Sequence, residues 1–257
     1  MRFKHSLMVA ATAAAVWLAA PTAQAETLRW AFQGDAKSLD PYTLNETFTL
    51  GFLGNVYEGL TKRGPELEII PGLATSWEIV EPTRWRFHLR EGVTFHNGNP
   101  FTADDVVFSA NRVRAEGSDL TTRIGADVEV VKVDDYTVDF ITPEPNPIIH
   151  YEWDTWYIMD KEWAEENDAV APTTASGDQE SFASFNANGT GPFKIESHES
   201  GVQSVFAKND DWWGEPQHNL DKAIFTPIGS DATRVAALLS GEIDMMSPVP
   251  VQDLERV

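Results

Sequence analysis

WRFHLREGVTFHNGNPFTADDVVFSANR (residues 85–112) places two histidines, two adjacent aspartates and a serine in one short run. The spacing reads as architecture before it reads as chemistry. Trp85, Phe87, Leu89, Val93 and Phe95 fall on odd positions and share one face of an extended segment. Arg84, Arg86, His88 and Arg90 alternate with them and point the other way. Asn97-Gly98 makes a turn. Thr102 then stands at a helix N-cap with Asp105 three residues on, the pattern of a capping box. Asp104 and Asp105 suit the positive end of the helix dipole, and Val106, Val107, Ala110 and Val113 form its apolar face. His88 and His96 are eight apart across a glycine turn, whereas zinc pairs sit two to four apart in one element. No metal site is expected there.

On either side the chain alternates short strands and helices. TLRWAFQ (27–33) puts Leu28, Trp30 and Phe32 on one face of a first strand, and GDAKSLDPY supplies a loop. FLGNVYEGLTKR (52–63) has Leu53, Val56, Tyr57 and Leu60 at helical spacing, closed by Gly64-Pro65. VEVVKV and YTVDFIT, separated by Asp134-Asp135, predict a hairpin. The aromatic cluster Trp153, Trp156, Tyr157 and Trp163 fits a core or a lobe contact, with a stacking surface as the alternative. GTGPF (189–193) lacks phosphate-loop spacing and predicts a tight turn into a strand pair, FKIES with VQSVFAK. KAIFTPI is a further strand. DATRVAALLSGEIDMM predicts a helix with Val235, Leu238 and Leu239 inward, Gly241 at its end and a short strand after it. VQDLERV then begins an amphipathic helix that stops uncapped at Val257, as in an incomplete chain.

Composition narrows the class. Arg2, Lys4 and His5, the apolar run 7–20 and Ala23-Gln24-Ala25 form a signal peptide over residues 1–25, with an uncleaved anchor as the alternative. Cleavage after Ala25 removes two bases and no acid, moving the net charge from −21 to −23. That balance excludes nucleic acid, which requires clustered bases. The chain has no cysteine, so an exported form carries neither disulfides nor a lipidated thiol. A 42% hydrophobic fraction with nine tryptophans excludes disorder. No GxSxG elbow is present, and the abundant carboxylates single out no acid/base pair. A secreted hydrolase using the tryptophans as a platform is the alternative to a binding protein.

Six blocks in order resemble the family 5 extracytoplasmic solute-binding proteins, the peptide/nickel/opine class of ABC importers. They are SLDP with NVYEGL, the 85–112 segment, DDYTVDFITPEPNP, GTGPF, NDDWWG and RVAALLSGEIDM. The resemblance implies an α/β, type II periplasmic-binding-protein-like clamp of two lobes, here lacking most of the second. It implies a discontinuous first lobe over 26–55 and 186–250, an inserted mixed α/β domain over 56–185, and the start of the hinge at 251–257. Members are about twice as long as this chain. The loop after SLDP, namely Asn45, Glu46, Thr47 and Phe48, would line the ligand cleft, joined by Met246, Ser247 and Pro248 after the GEID strand. The expected partners are a small-molecule or peptide ligand and the ABC permease subunits in the membrane, with no cofactor, no catalysis and a monomeric, periplasmic protein. A chemoreceptor-coupled binder would have the same fold.

Overall fold

The computed structural model describes residues 26–174 and 180–257. The signal-peptide expectation over 1–25 lies outside them. The chain begins with β1 (Glu26–Phe32), α1 (Thr47–Leu53), β2 (Thr61–Arg63) and β3 (Ile69–Pro71). It continues through β4 (Ala74–Glu81), β5 (Arg84–Leu89), α2 (Ala103–Val113), β6 (Glu129–Asp134) and β7 (Thr137–Ile141). Three short helices come next, α3 (Ile149–Glu152), α4 (Lys161–Glu166) and α5 (Phe182–Phe185). The last segment adds β8 (Phe193–Glu199), β9 (Gln203–Lys208), β10 (Leu220–Pro227), α6 (Asp231–Ser240) and β11 (Met245–Ser247).

Two sheets organise these elements. One has five strands in the order β11-β1-β10-β9-β8, with β1 parallel to both β10 and β11. The other has four antiparallel strands in the order β4-β5-β7-β6. The five-stranded sheet therefore joins the first strand of the chain to strands that lie between Phe193 and Ser247, and the four-stranded sheet lies wholly between them in sequence. The hairpin expected at Asp134-Asp135 is present as β6–β7, with Asp134 opposite Thr137.

The odd-numbered positions of 85–95 behave as the alternation requires. Trp85, Phe87, Leu89, Val93 and Phe95 are all buried. β5 nonetheless ends at Leu89, because Gly92 and Gly98 take positive φ and fold 93–101 into a tight loop bridged at Thr94 and Pro100. Thr102 caps α2 in a full capping box: its hydroxyl accepts from the Asp104 amide, and Asp105 accepts from the Thr102 amide at 2.8 Å. Trp153, Trp156 and Tyr157 belong to the core, where Trp153 lies 4.3 Å from Phe140.

Three readings of local structure are corrected. Residues 52–63 are not one helix. α1 starts earlier and ends at Leu53, after which Gly191 and Phe193 donate their amides to the carbonyls of Val56 and Asn55 at 2.8 and 3.0 Å. Those tertiary bonds take the carbonyls that a continuing helix would use. Glycine is required for that approach, since a Cβ on Gly189 or Gly191 would collide with the Val56 carbonyl. Leu239 is exposed rather than inward, while Val235 and Ala237 are buried, so the apolar stripe of α6 is narrower than its composition suggests. VQDLERV forms only a single 3-10 turn over Val251–Asp253.

Candidate functional site

The two faces of β1 are used differently. Leu28, Trp30 and Phe32 face α1, where the Phe32 and Phe48 rings stack at 4.2 Å and Trp30 lies 4.5 Å from Phe225. Ala31 faces the opposite side and packs with Val235, Ala237, Ile243 and Met246 beneath α6. The five-stranded sheet is therefore covered on both faces, and its parallel strands leave their carboxyl ends as the open edge. In open sheets of this kind ligands bind outside those ends.

Phe32 is paired there with Pro227 of β10 on one side and Ser247 of β11 on the other. Arg234 of α6 locks this edge from below. Its fully buried guanidinium donates to the Ile228 carbonyl at 2.7 Å, the Pro248 carbonyl at 3.2 Å and Asp231 at 2.6 Å. The two chain segments leaving β10 and β11 are thus tied to one planar donor fork, which suits a fixed geometry better than a flexible ammonium would.

The loop after β1 is held just as firmly. Asp40 and Arg112 form a bidentate pair at 2.8 and 2.6 Å, both side chains fully buried, with Tyr42 covering the guanidinium. The Tyr42 hydroxyl donates to the Tyr157 carbonyl at 2.6 Å. SLDPY is therefore anchored on α2, and the residues from Asn45 onward are presented to solvent. Asn45, Glu46 and Thr47 are exposed, and Phe48 is half-buried by its stack on Phe32. The Asn45 amide donates to Asp119 at 2.7 Å and its side-chain oxygen accepts from Arg123 at 3.3 Å. Glu46 accepts from Thr49 at 2.8 Å.

Of the residues named from the sequence, Phe48, Ser247 and Pro248 therefore belong to one edge, joined through Phe32. Asn45, Glu46 and Thr47 extend that edge towards the 115–125 loop. Met246 does not join them: it is in register with Ala31 and buried beneath α6, where it serves the core. A strand alternates faces, so Met245 and Ser247 point to the α1 side and Met246 points away. Sequence reasoning missed Phe32, Asp119, Arg123 and Arg234. Arg234 had a signal in Asp231-x-x-Arg234, an i,i+3 pair at the start of a helix. Arg123 had none.

The histidine- and aspartate-rich segment has its groups committed elsewhere. His96 accepts from the Gly189 amide at Nδ1 and donates from Nε2 to the Gly191 carbonyl, fixing one neutral tautomer. Burial lowers its pKa to about 4, in keeping with that role. Burial raises Asp105 to about 6, although the amides of Lys161 and Thr102 donate to it. His88 reaches only Glu78, at 3.5 Å. Among the described residues no group of three His, Cys, Asp or Glu side chains is placed to hold a metal. Glu58, nearly buried, accepts from Thr190 at 3.0 Å and from the indoles of Trp213 and Trp212 at 2.6 and 3.4 Å. Burial pushes its carboxyl up. This network ties the NVYEGL block to the GTG and NDDWW blocks.

A doubly covered mixed sheet with a buttressed carboxyl edge and a second sheet inserted between its strands defines the extracytoplasmic solute-binding architecture. The chain belongs to the bacterial extracellular solute-binding proteins, family 5, whose model matches residues 68–257. It is 30% identical over 267 residues to the dipeptide-binding protein of Escherichia coli, covering 93% of this chain and 48% of that protein. It is 26% identical to the periplasmic oligopeptide-binding protein of Salmonella typhimurium, covering 92% and 46%. Among solved structures, the Helicobacter pylori periplasmic binding protein DppA in complex with the peptide STSA superposes with a TM-score of 0.77 at 29% identity, over 90% of this chain and 48% of that one. The chain spans about half the length of the relatives it matches. All three are binding proteins by name, and the Salmonella and Helicobacter ones are named as periplasmic.

Proposed function

We propose that this chain supplies the first ligand-gripping lobe of a periplasmic solute-binding protein, which captures a short peptide or similar small polar solute and hands it to an ABC permease. The lobe comprises residues 26–55 and 186–250, with 56–185 inserted as a separate α/β unit and 251–257 leading into a hinge. The site is the carboxyl edge of β1, β10 and β11, formed by Asn45, Glu46, Thr47, Phe48, Ser247 and Pro248. The chain is exported by cleavage after Ala25, acts as a monomer, and binds without catalysis. Peptide ligands in the names and titles of its relatives support the ligand class.

The observation that carries this reading is the rigid convergence of two chain-distant segments on one open edge. The Asp40–Arg112 pair holds one of them and Arg234 holds the other. Exposed polar groups and the half-buried Phe48 line that edge. A calorimetric titration of the purified chain with di- and tripeptides tests it. Saturable binding with the peptides recovered intact is expected. Release of hydrolysed product, or no binding across the panel, would contradict it.

A further inference from the structure

The inserted unit exposes a set of large apolar side chains on one face. Leu67, at the tip of the β2–β3 hairpin, is 71% exposed. Ile79 of β4, Ile148 just before α3 and Tyr151 within α3 are 52%, 53% and 46% exposed. Bonds and packing place them together. The Arg63 guanidinium donates to the carbonyls of Leu67 and Tyr151 at 3.0 and 3.3 Å, so the hairpin tip lies against α3. The Tyr151 amide donates to the Ile148 carbonyl at 2.8 Å, one turn away. Trp85 is the link to β4. It stands opposite Ile79, its ring lies 5.1 Å from that of His150, and its indole donates to the Asn146 carbonyl at 2.9 Å. Exposed apolar side chains mean little singly, but grouped on one face they mark a contact with another macromolecule.

Leu67 adds a second observation. Its φ of 66° lies in the left-handed region, where glycine or asparagine is the usual occupant. The Leu67 amide donates to the Gly64 carbonyl at 3.0 Å and the Gly64 amide to the Glu68 carbonyl at 2.8 Å, a turn that glycine at 67 would suit better. A leucine there holds an apolar side chain in solvent at a cost in backbone strain, and strain of that sort is kept where a side chain is used. The flanking residues give the partner's chemistry. Glu66 and Glu68 flank Leu67, Glu78 precedes Ile79 and Glu152 follows Tyr151, and all four glutamates are exposed. Among the described residues none of the four pairs with a lysine or arginine; Glu78 meets only His88, at 3.5 Å, and Arg63 is committed to Asp154. A second copy of the chain would set glutamate against glutamate, and an anionic membrane would repel them. Apolar side chains ringed by free carboxylates complement apolar side chains ringed by lysine and arginine.

We infer that this face of the inserted unit docks a protein partner that presents apolar side chains among lysines and arginines, with Leu67 entering the partner's apolar centre. None of its residues belongs to the solute edge, so the inference stands apart from the ligand reading.

Fluorescence anisotropy of labelled helical peptides at physiological salt tests this. The probe peptide carries leucine along one face and lysine along the other. One control has glutamate in place of lysine, and a second has serine in place of leucine. The wild-type chain should bind the probe at least about tenfold more tightly than either control. Leu67→Gly, which suits the backbone and removes the side chain, should weaken the probe by about fivefold or more, and Ile148→Ser should do the same. Glu66→Gln combined with Glu68→Gln should weaken it too and flatten its salt dependence. Val202→Ser, an exposed apolar position in the β8–β9 turn, should change nothing. Circular dichroism checks the fold, and Tyr151→Ser replaces Ile148→Ser if that variant does not fold. Equal binding of probe and controls overturns the inference, as does full retention of binding by Leu67→Gly and Ile148→Ser. Self-association in sedimentation, or flotation with anionic vesicles, that Leu67→Gly abolishes also overturns it, since the occupant is then a second copy or a membrane.

Discussion

The 85–112 segment and the 38–48 loop differ in a way that reverses first impressions. The former holds histidines, aspartates and arginines at short spacing, and nearly all of them are engaged by the scaffold. His96 is clasped by two glycine backbones, Asp105 closes a capping box, and Arg112 is sealed against Asp40. The loop holds Asn45, Glu46, Thr47 and Phe48, a bland set, and leaves three of the four in solvent. The two are physically coupled, because the Asp40–Arg112 pair fastens the loop to the helix that ends the segment. The lesson is that abundant chemistry can be architecture, and that its rigidity is what lets a few ordinary side chains form a site.

The largest effect should come from breaking that coupling. Asp40→Ala leaves the Arg112 guanidinium buried and uncompensated, and should cost about 3–5 kcal/mol in urea unfolding. A loss below about 1 kcal/mol, the scale of an exposed pair, would show that the two regions are held together by something else. Next in size is Gly189→Ala, which drives a methyl group into the Val56 carbonyl and should destabilise by about 1–3 kcal/mol. An unchanged midpoint would mean that the GTG turn approaches the Val56 carbonyl less closely than described.

His96 should give a smaller, pH-dependent effect. The unfolded chain takes up the proton near pH 6.5 while the folded chain resists until about pH 4. The stability this group contributes is present above pH 6.5 and is lost as the pH falls through that window, by at most about 1.4 kcal/mol per unit. Thermal midpoints of His96→Gln should fall less steeply with acid than those of the wild type. Parallel slopes would remove His96 as a source of acid sensitivity. Ligand affinity at neutral pH should not change in His96→Ala.

Much of the scaffold was legible in the sequence because period-two and capping patterns are local. The 85–89 strand, the Thr102 cap and the β6–β7 hairpin all arise from neighbours within a few residues. The misreadings were set by distant partners. Residues 52–63 have helical spacing, yet Gly191 and Phe193 capture the carbonyls that a helix would need. Met246 was grouped with Ser247 and Pro248 from the sequence, but the register of β11 on β1 turns it inward.

Backbone hydrogen–deuterium exchange with and without a saturating dipeptide tests most directly whether the site lies at the carboxyl edge. The added ligand should slow exchange at residues 44–48 and at Ser247 and Val249, while leaving the amides of 85–112 unchanged. Protection concentrated in 85–112, with none at 44–48, would contradict it.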